Sequence, residues 1–401
     1  MSMQKLTIQE IFKRIRNGLT VKNDANSGGL PITRIETISN GEIDLRRVGY
    51  SGIAEGEKDD WLLEKGDILF SHINSIAHIG KCAIYEGAPK KLIHGMNLLA
   101  FRADSEKLFP KYALYLLRSQ TFKNQLAKSI KPAVNQASVT IADINKIEVD
   151  IPPLEEQKRI AAILDKADSL RRKRAQAIAL ADDFLRAVFL EMFGDPVTNP
   201  KGWDTVKLEE LILSGPTNGL YKPSSDYVDA DGELGVPILR IDGFYNGRIA
   251  KGYKFKRVLI DSQTKLKFLL RDKSIVINRV NSKEYVGKAM LVSGLQEATV
   301  FESNMMNFSV SLSSVNPRFL VDQLADEFVR RQVAIMRKDA VNQSSINQND
   351  VKSIEIRLPK LGLQEKYTEV AEVIDLLVKK YNEASDDLGC FSDSLRARLL
   401  A

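Results

Sequence analysis

The chain is written twice. Pro31-Ile32-Thr33-Arg34-Ile35 returns as Pro237-Ile238-Leu239-Arg240-Ile241, and Asn40-Gly41 returns as Asn246-Gly247, both 206 residues later. Asn74-Ser75, Gly80-Lys81, Asn97 and Pro110 find Asn281-Ser282, Gly287-Lys288, Asn304 and Pro317 at an offset of 207. The longest match sets Lys131-Pro132-Ala133-Val134-Asn135-Gln136-Ala137-Ser138 against Lys338-Asp339-Ala340-Val341-Asn342-Gln343-Ser344-Ser345, identical at six of eight positions. Asp143, Pro152 and Gln157 pair with Asp350, Pro359 and Gln364, and Asn17-Gly18-Leu19 pairs with Asn218-Gly219-Leu220 at 201. A register that drifts by only six residues leaves two copies of about 200 residues as the plan of the whole chain.

Each copy reads as a mixed α/β globular part followed by a long helix. Short apolar runs between Gly, Asn and Asp predict strands at Asp67 to Phe70, Gly80 to Tyr85 and Asn97 to Phe101, with counterparts at Ile275 to Ile277, Val286 to Val292 and Met305 to Ser311. Pro110 and Pro317 open helical stretches reaching about Lys128 and Met336, since a proline in the first turn loses no hydrogen bond. After Pro152-Pro153 the chain has neither Gly nor Pro from Glu155 to Phe193, and Gly194-Asp195-Pro196 ends the run. Apolar residues recur there at helical spacing, at Ile160, Ile163, Ala167, Leu170, Ala177, Ala181, Phe184 and Val188. The second copy repeats the stripe in phase at Tyr367, Val370, Ile374, Leu377, Ala384, Leu388, Phe391 and Leu395. Matched stripes suit two helices packed on each other as a coiled coil. At 1.5 Å per residue each spans roughly 54–58 Å. That length and the charges on the remaining faces favour an exposed spacer over a helix packed on its own globular part. The expected segments are 1–153 and 194–362, globular, and 154–193 and 363–401, helical.

The charge is unevenly spread. Of 58 basic and 52 acidic residues, the two helical segments hold 13 and 15, so the globular parts hold 45 and 37, a net of +8. Basic modules on a neutral or slightly acidic spacer suit a polyanionic partner. Several chemistries are excluded. Cys82 and Cys390 form no CxxC pattern, and His72, His78 and His94 have no acidic or cysteine partner at ligand spacing, so no metal is expected. No glycine-rich phosphate loop follows a predicted strand, and nothing marks a nucleophile elbow. Ile151-Pro152-Pro153-Leu154 superficially resembles the Pro-Pro motif of amino-methyltransferases, but Ile and Leu stand where that motif needs a polar residue and an aromatic. Asp150 with Glu156-Gln157-Lys158 superficially resembles a nuclease pattern, but it opens a helix and lacks a second acid on a neighbouring strand. With no apolar run of about 18 residues and no leader pattern at Met1 to Thr7, no membrane association is expected and a cytoplasmic protein is.

Ile151-Pro152-Pro153-Leu154-Glu155-Glu156-Gln157-Lys158-Arg159-Ile160 resembles the hallmark that opens the central conserved helix in specificity subunits of type I restriction–modification enzymes. Leu358-Pro359-Lys360-Leu361-Gly362-Leu363-Gln364 is a degenerate second copy without the second proline and the Glu pair. Gly202-Trp203 leading to Val206-Lys207-Leu208 is similar to the opening of a recognition domain in that family. The resemblance spans the whole chain. It implies a non-catalytic subunit whose two target recognition domains each read half of a split double-stranded DNA sequence. It implies that the two long helices run antiparallel, set the gap and dock two methyltransferase subunits. Those partners, not this chain, would bind S-adenosylmethionine and methylate adenine; a restriction subunit can join to cut unmodified DNA. An antiparallel pair carries a pseudo-two-fold axis, which matches the local two-fold symmetry of duplex DNA.

If the two halves read different bases, residues identical in both copies are poor readers. They hold the fold or grip phosphates. Lys81 and Lys288, Lys131 and Lys338, and Arg34 and Arg240 are the backbone-contact candidates. Asn135-Gln136 and Asn342-Gln343 have adenine-pairing chemistry, but their identity argues for capping or loop bracing. Ser138 and Ser345 are expected to cap the short helices before Asp143 and Asp350. Better reader candidates differ between equivalent loops. Ser71-His72 faces Asn278-Arg279, and Ile76-Ala77-His78 faces Lys283-Glu284-Tyr285. Arg279 has the fork for a bidentate guanine contact.

Overall fold

The computed structural model describes residues 3–21, 28–133, 136–228, 232, 234–250, 252–341 and 343–399; of Ser224, 385–393 and 395–399 the backbone alone is described. The chain divides into two compact units, Met1–Ala175 with Ala384–Ala401, and Gln176–Glu383.

Each unit is organised around a four-stranded antiparallel sheet of one strand order. In the first unit the order is Phe12–Asn17, Leu98–Ala103, Ile68–Ser71, Cys82–Ile84; in the second it is Ile212–Asn218, Met305–Val310, Ile275–Asn278, Ala289–Leu291. The strand in third place is buried along its whole length in both. Its two faces enter different cores, which is why it reads as an unbroken apolar run. Ile68 and Phe70 pack with Tyr112, Leu116 and Phe122, while Leu69 packs with Ile38, Leu63 and Tyr85. Ile275 and Ile277 pack with Phe319 and Val351, while Val276 packs with Leu239 and Phe244. A terminal strand pair closes each copy, Gln4–Thr7 against Glu148–Ile151 and Asp204–Lys207 against Glu355–Leu358.

The shared Asn-Gly-Leu has a steric reason. Leu19 N–H donates to His94 O and Leu220 N–H to Phe301 O, both at 2.8 Å. A Cβ on Gly18 would lie 2.0 Å from Gly95 O, and one on Gly219 2.2 Å from Glu302 O. No residue but glycine fits that backbone approach.

Two expectations about the short helices need correcting. The stretch after Pro110 is two helices, Pro110–Arg118 and Gln120–Ala127, because Ser119 turns extended and its hydroxyl accepts from Phe122 N–H. The stretch after Pro317 likewise breaks into Pro317–Leu324 and Glu327–Met336, with Asp326 accepting from Val329 N–H. Ser138 and Ser345 cap nothing. They lie in strands, and the caps are Thr140, which accepts from Asp143 N–H, and Asn347, which accepts from Asn349 and Asp350 N–H.

The long helices are Leu154–Phe193 and Leu361–Leu399. They are not exposed spacers throughout. Ile160, Ala161 and Leu164 belong to the first unit's core; Leu185, Phe189 and Phe193, with Tyr367 and Ala371, belong to the second's. The buried stripe is also displaced from the expected one. Leu164, Leu185 and Phe189 are inside, whereas Leu170, Phe184 and Leu377 are 38%, 53% and 44% exposed. Ile163, Val188 and Val370 are half-buried, and Ile160, Tyr367 and Ile374 are buried. A helix shared between a globular core and another helix buries a stripe wider than a heptad seam. That moves its centre. The side chains of Leu388 and Leu395 lie outside the described residues.

Candidate nucleic-acid interface

The repeat's longest match forms a hairpin in each copy. Lys131–Pro132 pairs with Ala137–Ser138, which pairs in turn with Ile73–Asn74. In the second copy Lys338–Asp339 pairs with Ser344–Ser345, which pairs with Val280–Asn281. The tips close alike, with Ala133 N–H on Gln136 O and Ala340 N–H on Gln343 O, both at 2.7 Å. Asn135 and Asn342 lie outside the described residues.

The strand under each hairpin runs into a turn. The Asn74 side-chain oxygen accepts from Ser75 N–H at 2.8 Å, and Asn281 accepts from Ser282 N–H at 2.8 Å. This is the local chemistry that makes Asn a turn residue. The turn presents Ile76, Ala77 and His78 to solvent in the first copy and Lys283, Glu284 and Tyr285 in the second. Turn and hairpin touch in the second copy, where Lys283 Nζ lies 3.0 Å from Asp339 and Arg337 donates to Lys283 O at 3.4 Å. Each copy therefore carries one edge built on shared backbone chemistry and dressed with different side chains.

The sequence-predicted residues distribute unevenly over this edge. Lys131, Lys338, Gln136 and Gln343 are exposed on the hairpins, and His78, Lys283 and Tyr285 are exposed on the turns. Lys131 makes only a 3.9 Å approach to Asp143 and is 72% exposed, so its ammonium is free to meet a phosphate. Ser71 and Asn278 are corrections: at 1% and 0% exposure they are core residues at strand ends and reach no groove. His72 is 6% exposed, and burial lowers the basicity of its imidazole. Arg279 is half-buried and donates to Ser303 O at 3.2 Å, so its fork is partly committed to the fold.

The backbone-contact candidates also separate. Lys81 and Lys288 are straps. Lys81 Nζ donates to Ser39 O at 3.1 Å, and Lys288 Nζ donates to Ile241 O at 3.2 Å. Lys288 stands among three rings, 3.9 Å from the centre of Tyr245, 4.7 Å from Phe244 and 5.0 Å from Tyr285. Burial brings its pKa down to about 8, against the pull of Asp242. Arg240 is held by Glu302 at 3.2 Å, and Arg34 lies 3.9 Å from Glu36. Sequence reasoning missed Tyr245, which stacks edge-on to Tyr285 at 5.8 Å and is 44% exposed. The signal was present in the repeat itself, since Ser39 holds the register position of Tyr245 in the first copy.

Among the described residues no group of three His, Cys, Asp or Glu is arranged to hold a metal ion, and no helix is long and apolar enough to cross a membrane.

Comparison with known proteins gives a consistent result. A family model described as type I restriction modification DNA specificity domain matches residues 2–180 and 200–383. The putative type I restriction enzyme MjaX specificity subunit of Methanocaldococcus jannaschii is 33% identical over 393 residues, 93% of this chain and 86% of that protein. The type I restriction enzyme StySPI specificity subunit of Salmonella potsdam is 24% identical over 389 residues, 92% of this chain and 81% of that one. Among solved structures, the S subunit of a type I restriction–modification system from M. genitalium aligns at a TM-score of 0.62 and 13% identity, covering 100% of this chain and 96% of that one. A chain from a study of complex assembly and conformational transition in the type I R-M system aligns at 0.51 and 18%, covering 99% and 97%. At these identities the structural likeness concerns the fold.

Proposed function

The chain belongs to the family of type I restriction–modification DNA specificity subunits, which recognise DNA without catalysing its chemistry, and from that membership we propose how it reads its target. Each globular copy contacts one half of a split duplex sequence through its hairpin-and-turn edge. The long helices keep the two halves at a set distance and carry two methyltransferase subunits. Those subunits bring S-adenosylmethionine, and this chain holds no cofactor of its own. A restriction subunit can join the same assembly.

One observation carries this reading: the same edge occurs at matched register in both copies, with common backbone chemistry and different exposed side chains. That is what reading two unlike half-sites from one scaffold requires. The +8 on the globular parts supports a phosphate backbone as partner. An antiparallel helix pair is supported within the second unit, where Phe189 and Phe193, late in the first helix, both meet Tyr367, early in the second, at 5.3 and 5.5 Å. Docking of partners along the helices is supported by exposed apolar side chains there, among them Leu180, Phe184, Val373 and Leu376.

The test is direct. Sequencing methylated adenines in a host carrying this chain and its methyltransferase identifies the two half-sites. Binding of the assembled complex is then measured on duplexes with the gap lengthened or shortened by one base pair. Affinity is expected to fall with either change, and an affinity indifferent to the gap overturns the reading.

A further inference from the structure

The Asn-Gly pair recurs in both copies, at Asn40-Gly41 and Asn246-Gly247. In the second copy it is the turn of a two-stranded hairpin, Phe244–Tyr245 against Arg248–Ile249. Asn246 and Gly247 have φ of 48° and 72°, the pairing that a tight hairpin turn of this kind demands. The hairpin lies against the long helices. Arg248 Nη1 donates to Asp182 at 2.7 Å and its Nε donates to Asp375 at 2.6 Å. Asn246 Nδ2 also reaches Asp182, at 3.4 Å. Asp182 belongs to the first long helix and Asp375 to the second, so one guanidinium holds both. The grip extends inward. Asp375 also pairs with Arg318, which pairs with Asp322 at 2.9 Å, and Asp322 accepts from Tyr367 at 2.7 Å.

The first copy places its Asn-Gly pair in a different turn, after the short helical turn Ile35–Ile38 and with only Gly41 at positive φ, 78°, and it carries the opposite charge. Glu42 holds the register position of Arg248, and it accepts from Arg172 of the first long helix at 2.6 Å. Arg118 braces the turn by donating to Gly41 O and, at 2.8 Å, to Cys82 O. The two grips differ in strength. Glu42 and Arg172 are 64% and 61% exposed, whereas Arg248 is 21% exposed between two carboxylates at about 30%. An exposed single pair contributes little, and a forked, half-buried pair to two carboxylates contributes much more.

We propose that the Asn-Gly turns are latches that seat each recognition domain on the helical spacer, with a charge specific to each seat, and that the Arg248 latch fixes the gap the protein accepts between half-sites. This rests on the reading under Proposed function and deepens it. A domain held at one angle on the helices meets its half-site at one spacing. A loosened domain meets it over a range.

The experiment uses the full chain assembled with its methyltransferase subunits. Competition binding compares duplexes at the cognate gap, at one base pair more and one fewer, and with one half-site scrambled. Arg248→Gln is expected to lower the preference for the cognate gap by on the order of tenfold, while the scrambled half-sites are still rejected as by the wild type. Arg248→Glu, facing Asp182 and Asp375, is expected to lower it further, and Asp182→Lys on that background to restore part of it. Glu42→Gln is expected to change the preference by less than about threefold. Should Arg248→Gln fold poorly, Asp182→Asn carries the same comparison from a helix position with solvent beside it. Unchanged gap profiles in the Arg248 variants, or an Arg248→Glu no worse than Arg248→Gln, overturn the latch while the functional reading stands. A wild type indifferent to the gap overturns that reading, and the latch falls with it.

Discussion

Tyr285 and its neighbours show how an exposed side chain differs from a strap at the level of single side chains. Lys288 is occupied by Ile241 O and by three rings, but the outer faces of Tyr245 and Tyr285 remain open to solvent. The first copy has Ser39 and His78 at those register positions. Tyr285→Ala is therefore expected to relax base preference in one half-site only, by about 1–3 kcal/mol at the affected position, as read by half-site selection. Lys338→Ala, on the exposed hairpin, is expected to weaken binding evenly across sequences and to lower the slope of log K against log salt by about 0.9. That Tyr285 differs between the copies while Lys338 is shared was legible in the sequence by comparing them. The burial of Ser71 and Asn278 was not. A polar residue after three apolar ones looks like the start of a loop, and only the neighbouring strands show that the ladder continues over it.

At the scale of elements, the junction before each long helix depends on one buried glutamine. Gln157 accepts from Phe109 N–H at 2.8 Å and donates to Lys107 O and Pro152 O; Gln364 accepts from Asn316 N–H at 2.8 Å and donates to Pro359 O. Both are essentially inaccessible. Each satisfies backbone groups of the connection ahead of the short helix at Pro110 or Pro317, tying that helix to the long one. The second copy keeps the glutamine although it has lost a proline and the Glu pair, which marks the glutamine as the part the fold requires. Gln157→Leu is expected to cost about 1–3 kcal/mol by leaving buried backbone groups unpaired, measurable as a lower denaturant midpoint. Behind this junction one matched position anchors the long helix in both copies through different chemistry. Tyr115 donates to Asp165 at 2.8 Å and Asp168 at 3.3 Å, while Asp322, at Tyr115's register position, accepts from Tyr367 on the long helix. The helices themselves were legible from their spacing and, for the first, from the prolines and glycine that bound it. Their seating was not, because a stripe of apolar residues does not say which other element covers it.

For the whole molecule, one half-buried and one buried group tie stability to pH in opposite directions. Burial pushes the Asp326 carboxyl up to about 7, although it caps a helix by accepting from Val329 N–H. Its proton is held more tightly folded than unfolded, so this contribution is lost as pH rises from about 4 to about 7. Asp326→Asn keeps the cap and is expected to remove a slope of up to about 1.4 kcal/mol per pH unit from urea unfolding across that window. His94 is driven down to about 4 by burial and is neutral when folded, so its contribution is lost as pH falls from about 6.5 to about 4. Neither group stands out in the sequence, since both shifts come from distant segments that exclude water. The sequence by itself determined the duplication, the family, the order of globular part and helix, and the placing of positive charge on the globular parts. These follow from local residue chemistry and from register along one chain. Only the tertiary structure decided which polar residues are sealed in the core, which face of each long helix is covered, and that Asp182, Arg248 and Asp375 meet. Those outcomes depend on which elements pack together, and burial and electrostatic pairing are properties of the packed neighbourhood rather than of the residue.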